Sequence, residues 1–288
     1  MQATMPTIQS LKNISFDTVF KAFNEAFDDY EVQLNKTELE RMLKRRGYVS
    51  ELSFGAFDKD VLVSFTLNGI GNFQGTKTAY DTGTGTIKAY RGQGLATQIF
   101  QYSVPFLKEA GVGQYLLEVL QHNEKAVSIY RKQGFMVSRE FNYFVQEMSG
   151  IGIKGKKIAD DFEYTKVPLS SINANSSFQD FFPSWQNSYE AILRTPNDYI
   201  VIAAHQAKEL VGFCIFESLS GDITQLAVDK AFRRRGIATE LLQQALEHNQ
   251  HDSVKLINTE VSCEAITSFM ASVEIPVCGQ QFEMIKKL

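Results

Sequence analysis

Residues 89–96, AYRGQGLA, put two glycines beside an arginine where a β-like run, TGTGTIK, gives way to a helical one, TQIFQYSVPFLKEAG. The first N–H groups of a helix have no intrahelical partner and lie at the positive end of its dipole, so such a junction can receive a phosphate. Glycine matters there because a Cβ would hold the anion away from the backbone. A plain strand-to-helix connection has the same composition, and the rest of the chain has to decide between the two. It does so by repeating the stretch: Arg91-Gly92-Gln93-Gly94-Leu95-Ala96-Thr97 is answered by Arg233-Arg234-Arg235-Gly236-Ile237-Ala238-Thr239, 142 residues on (233 − 91).

The echo extends in both directions. Upstream, LVSF (62–65) parallels LVGF (210–213), each after a polar turn, which is hairpin chemistry. Downstream, LLEVLQHNEKAVSIY answers KLINTEVSCEAITSF, a buried-looking strand followed by a helix in each half. The chain therefore reads as two copies of one mixed α/β unit. We expect an N-terminal domain over 1–147, a Gly- and Lys-rich linker over 148–159 and a C-terminal domain over 160–288. The linker contains a literal GxGxxG (150–155), which is discounted because no helical pattern follows it. Ser15 and the Asn35/Glu38 capping box predict the starts of two helices in the first unit.

Composition narrows the function classes. A net charge of −4 over 288 residues, with 44% hydrophobic and 22% charged residues, describes a globular protein without the sustained basic face that nucleic acid requires. Cys214, Cys263 and Cys278 are neither paired nor spaced for a metal, so no metal site is expected. No apolar run reaches the ~20 residues of a membrane helix and the start lacks a signal-peptide pattern, so a cytoplasmic protein with no membrane partner is expected.

Arg91-x-x-Gly94-x-Ala96 and Arg233-x-x-Gly236-x-Ala238 resemble the Arg/Gln-x-x-Gly-x-Gly/Ala signature of the GNAT superfamily, the acyl-CoA-dependent N-acyltransferases. The first unit adds a second family feature, Asn123-x-x-Ala126-x-x-x-Tyr130-x-x-x-Gly134-Phe135. The resemblance implies α/β (α+β type) architecture: two tandem domains, each a mixed, mostly antiparallel sheet flanked by helices, packed on one another as a pseudo-dimer. It implies acetyl-CoA as cofactor, its pyrophosphate held by the amides of Arg91, Gly92, Gln93, Gly94, Leu95 and Ala96, with Thr97 adding a hydroxyl. The strand before the loop, with Thr86 and Lys88, would bond the pantetheine arm, and Asn123 its pantetheine or ribose-phosphate end. Tyr130 would be the general acid that protonates the departing thiolate.

Asp81 is the candidate base that takes the proton of the attacking amine, with Glu118 in reserve. Asp28, Asp29 and Glu31 form an acidic segment expected to attract a protonated small-molecule or peptide amine. The lone Trp185 is a helix anchor or a pocket wall. In the second unit Arg234, Arg235, Gly236, Ala238 and Thr239 would form the equivalent coenzyme A loop. Lining Ala265 up with Ala126 puts Phe269 at the place of Tyr130, so the general acid is missing there. The first unit is thus expected to be the acetyltransferase. A tandem module that binds acyl-CoA without turnover is the alternative reading.

Overall fold

The computed structural model describes residues 6–29, 33–153, 162–172 and 178–288. Contacts divide the chain into two compact units. The first comprises Met1–Val119, Asn123–Ser138 and Glu283–Leu288; the second comprises Leu120–His122 and Arg139–Phe282.

The first half of the chain runs β1 (Thr7–Ser10), α1 (Phe16–Ala26), α2 (Lys36–Arg45), β2 (Phe54–Asp58), β3 (Val61–Phe73), β4 (Thr76–Thr86), α3 (Leu95–Glu109), β5 (Gln114–Leu120), α4 (Glu124–Lys132) and β6 (Met136–Glu147). In the first unit β1 to β4 pair antiparallel in chain order, and β5 joins β4 in parallel. That parallel pairing covers only Thr78 to Tyr80, so β4 and β5 part at Asp81. Both expected caps are formed: Ser15 accepts from the Thr18 N–H, and Asn35 and Glu38 bond each other's backbone. The Val19, Ala22, Phe23 and Ala26 stripe of α1 is buried with Leu39 and Leu43 of α2 against Phe65 and Leu67 of β3, the 3.6-residue apolar period finding its sheet face.

The second half runs β7 (Glu163–Lys166), α5 (Tyr189–Arg194), β8 (Tyr199–Gln206), β9 (Glu209–Glu217), β10 (Asp222–Val228), α6 (Ile237–Leu246), β11 (Ser253–Glu260), α7 (Glu264–Ser272) and β12 (Val277–Lys287). In the second unit β7 to β10 are antiparallel, and β11 is parallel to β10 through the single pair Asp222 and Lys255. Residues of β6 then pair antiparallel with β11, from Ser253 opposite Glu147 to Glu260 opposite Phe141.

Each unit thus contains a strand segment from the other half of the sequence. In the first unit the Leu288 N–H donates to the Gly113 carbonyl ahead of β5, the Lys286 ammonium donates to the Gln133 carbonyl, and Ser138 donates to Glu283. Around the expected linker, Met148–Gly150 forms one 3-10 turn and the Gly152 N–H donates to the Val273 carbonyl. The rest of that segment, from residue 154, lies outside the described residues.

Candidate active site

The glycine loop of the first unit closes on α3. Gly92 and Gly94 have φ of 82° and 75°, conformations in which a Cβ is disfavoured, and Gly94 is the N-cap of α3. The space that a Cβ would enter at Gly92 is empty, so the backbone here is open to a ligand. Leu95 turns its side chain into the core with Phe54, Val63 and Ile99 and leaves the loop only its backbone. Gln93 is exposed and its carbonyl accepts from Gln98. Thr97 is half-buried in the first turn of α3, and Lys88 is exposed in the turn before the loop. The Thr86 hydroxyl lies 2.7 Å from that of Ser64.

The Arg91 side chain is committed to protein acceptors. Its Nε donates to the Thr86 carbonyl at 3.1 Å and Nη2 to the Ala26 carbonyl at 2.8 Å, while Nη1 and Nη2 grip the two Asp29 oxygens at 2.6 and 2.9 Å. The guanidinium holds the Asp29 carboxyl down at about 2. Asp29, expected to face an amine, therefore faces the loop arginine; Asp28 is exposed beside it, and Glu31 lies outside the described residues. The second unit repeats the arrangement: Arg233 donates to the Val228 carbonyl, to the Phe178 carbonyl and to Asp180.

Beyond the point where β4 and β5 part, a cavity of about 170 Å³ is lined by Asp81, Thr84, Ala96, Phe100, Tyr115 and Tyr130, among others. The candidate base, the candidate acid and a loop residue thus line one space. Asp81 accepts from the Gly83 N–H at 3.0 Å and the Thr84 hydroxyl at 2.8 Å. Loss of water around it outweighs these bonds and raises its pKa to about 6. Tyr130 packs edge-on against Phe135, with ring centroids 5.7 Å apart. Glu118, the reserve base, accepts from the buried Tyr80 hydroxyl at 2.9 Å and is not part of the cavity wall. Asn123 caps α4 by accepting from the Ala126 N–H at 3.2 Å.

Two features of the wall escaped the sequence reading: the bond of Thr84, which begins the strand expected to face the pantetheine arm, to Asp81, and the presence of Tyr115. Thr84 carried a local signal, because D-T-G-T is an Asx-turn pattern in which the carboxylate takes the N–H two residues on. Tyr115 carried none: it reads as a strand apolar, and only the fold brings its hydroxyl to Asn68 at 2.5 Å.

In the second unit Gly236, with φ of 86°, caps α6 as Gly94 caps α3, whereas the place of Gly92 is taken by Arg234, itself at φ of 66°. Arg235 lies over the Phe232 ring at 5.3 Å, Ala238 lines a second, larger cavity and Thr239 is buried in the first turn of α6. The expected register of the second motif needs correction by one residue. Helices α4 and α7 start 140 residues apart (264 − 124), Gly134 and Glu274 share a positive φ, and Phe135 and Ile275 bond back to Tyr130 and Met270. The residue at the place of Tyr130 is therefore Met270, fully buried, and Cys263 stands at the place of Asn123. The earlier frame followed the Ala126/Ala265 identity, which helix packing overrides. Asp222 is buried on β10 and does not line the cavity, and Trp185 is a buried anchor with Arg194 over its ring.

The acetyltransferase (GNAT) family model matches residues 16–135 and 168–265. The chain belongs to that family, with one copy of its fold in each half. It is 33% identical over 97 residues to N-alpha-acetyltransferase 30 of Schizosaccharomyces pombe, covering 33% of this chain and 65% of that protein. It is 28% identical over 105 residues to N-alpha-acetyltransferase MAK3 of Arabidopsis thaliana, covering 36% of this chain and 55% of that one. The chain thus spans less than two thirds of either relative. In fold it resembles a tandem GNAT protein from the clavulanic acid biosynthesis pathway, with a TM-score of 0.72, 9% identity and 98% of both chains covered. It also resembles a GCN5-related N-acetyltransferase from Sphaerobacter thermophilus, with a TM-score of 0.71, 13% identity, and 99% of this chain and 97% of that one covered. Among the described residues no helix is long and apolar enough to cross a membrane.

Proposed function

We propose that the first unit is an N-acetyltransferase that moves an acetyl group from acetyl-CoA to a primary amine of a small molecule or peptide. The observation that carries this reading is the shared cavity of Asp81 and Tyr130 behind the α3 loop. The names of the two curated relatives support an α-amino group as acceptor.

The bound thioester supplies the activated acyl group. The backbone of residues 91–96 and the Thr97 hydroxyl hold its pyrophosphate, with Thr86, Lys88 and Asn123 along the arm, as the open backbone at Gly92 permits. Asp81, ionised above pH about 6, takes the proton of the amine nitrogen, directly or through a water. Tyr130 gives its hydroxyl proton to the departing thiolate sulfur, so one C–S bond is exchanged for one C–N bond and the proton count closes. Asp28 contributes negative charge at the entrance, and the protein acts in the cytoplasm.

The test is thiol release from acetyl-CoA against an amine panel. Tyr130→Phe and Asp81→Asn should each lower kcat by ~10²–10⁴-fold. Tight acetyl-CoA binding with no turnover of any amine would replace this reading by that of an acyl-CoA-binding module.

A further inference from the structure

The buried Tyr115 hydroxyl donates to Asn68 Oδ1 at 2.5 Å across the sheet of the first unit. Strand β4 lies between β5, which carries Tyr115, and β3, which carries Asn68, so the bond spans it. Ala79, opposite Tyr115 on β4, leaves only a methyl group to clear. Asn68 is the residue opposite Asp81 on β3. It is held in turn: its Nδ2 donates to the Leu52 carbonyl at 2.6 Å, and its backbone N–H donates to the Ser53 hydroxyl at 2.8 Å. Ser53, Asn68 and Tyr115 are all buried.

The Tyr115 ring stands edge-on to Phe100 and to Phe135, with centroids 5.1 and 5.7 Å away, and Phe135 meets the Tyr130 ring at 5.7 Å. One chain of contacts thus runs from the residue opposite Asp81 to the ring of Tyr130. It does so where the β4–β5 ladder has ended, so side chains set the spacing there: Tyr80 with Glu118 on one face of β4, Tyr115 with Asn68 on the other. Burial, with Asp81 and Tyr130 adding, holds the Tyr115 hydroxyl well above its ordinary range, so it stays a protonated donor.

The second unit fills the same four places without a polar group. Asn68 lies opposite Asp81 as Phe216 lies opposite Ile223. Tyr115 precedes the partner of Tyr80 as Val254 precedes the partner of Asp222, and Tyr130 corresponds to Met270. Phe216, Ile223, Val254 and Met270 are buried in one apolar cluster. The Tyr115 hydroxyl and the Asn68 carboxamide are therefore present in the unit that has Asp81 and Tyr130 and absent from the unit that lacks them.

We propose that Tyr115 and Asn68 are positioning residues of the first unit: their bond fixes the Tyr115 ring across the parted strands and, through Phe135, holds the Tyr130 hydroxyl in place relative to Asp81. The proposal rests on the roles given above to Asp81 and Tyr130; the contacts and the fourfold replacement stand apart from them.

The full chain is made with fluorotyrosine in place of Tyr130 and followed by fluorine NMR as wild type, Tyr115→Phe, Asn68→Leu and the double variant. The same proteins without the label are assayed for thiol release from acetyl-CoA against the amine panel. Tyr115→Phe keeps the ring and removes the hydroxyl alone. The double variant removes both halves of the bond, so neither is left buried and unpaired, and it serves where a single variant does not fold. One sharp fluorine line is expected in the wild type and a broadened or split line in each variant. The kcat should fall about ten- to a hundredfold at unchanged KM for acetyl-CoA, the double variant losing no more than the larger single loss. An unchanged fluorine line, or an unchanged kcat in an enzyme that turns over, overturns the proposal and leaves the pair a core contact that moves only the melting temperature. The fluorine line needs no turnover: if no amine is acetylated, a changed line supports the positioning of Tyr130 and counts the failure against the acetyltransferase reading alone.

Discussion

Arg91 grips Asp29 with two parallel bonds, and in the second unit Arg233 holds Asp180 through one nitrogen, Nη1. In both copies the arginine also bonds the carbonyl five residues before it, at the end of the strand that leads into the loop. The guanidinium of Arg91 thus ties the strand end at Thr86 and the α1 end at Ala26 and Asp29 to the loop, and in the proposed function the backbone of the loop is the part left to face the phosphate. Lysine cannot reproduce a two-pronged, planar set of donors. Arg91→Lys and Asp29→Asn are expected to raise the KM for acetyl-CoA between about tenfold and a hundredfold with a smaller change in kcat. A fall in kcat at unchanged KM would assign the pair to the chemistry instead.

With Asp81 as the proposed base, a pH dependence follows. A base whose pKa is raised to about 6 by burial is protonated and idle below that pH, so kcat/KM should fall tenfold per unit on the acid side. The limb should vanish in Asp81→Asn, together with most of the rate. The stability sign is opposite: folding disfavours the charged carboxylate, so this group's contribution to stability is most favourable below the unfolded pKa and declines as pH rises to about 6. Asp81→Asn is therefore expected to melt higher than wild type at pH 8, by calorimetry.

The two loops differ in strain. Gly92 occupies a left-handed conformation without cost, whereas Arg234 occupies its counterpart with a Cβ. Gly92→Arg should destabilise and Arg234→Gly stabilise the protein, each by roughly 1 kcal/mol, measured by denaturant titration.

Cysteine reactivity gives a check on the core. Burial pushes the Cys214 thiol up to about 12, and Cys278 is exposed. A thiol reagent at pH 7.5 should modify Cys278 first and reach Cys214 only on unfolding.

Much of this architecture was legible as a repeat. The Arg91 and Arg233 loops, the hairpins ahead of them and the helices behind are local patterns, and each appears where its periodicity put it. The capping box at Asn35 is equally local. What escaped was non-local. The one-residue register of α7 depends on a glutamate, Glu274, taking the left-handed conformation that glycine takes at Gly134, and no identity in the sequence marks it. Asp29 looked like an open carboxylate because its partner lies 62 residues away. The bonds from the Asn187 side chain to the Ile257 carbonyl and from the Gln225 side chain to the Asn187 carbonyl join segments that carry no shared motif.

The membership of residues 283–288 in the first unit has a consequence for how this protein comes into being. The half of the chain that leaves the ribosome first is the last to be finished, because the strand segment beside β5 follows the whole of the second half. A chain cut after residue 147 lacks that segment and leaves the β5 edge unpaired, and a nascent chain keeps the same open edge until residues 283–288 have been made. The second copy, with Met270 at the place of Tyr130, thus carries the piece that completes the first.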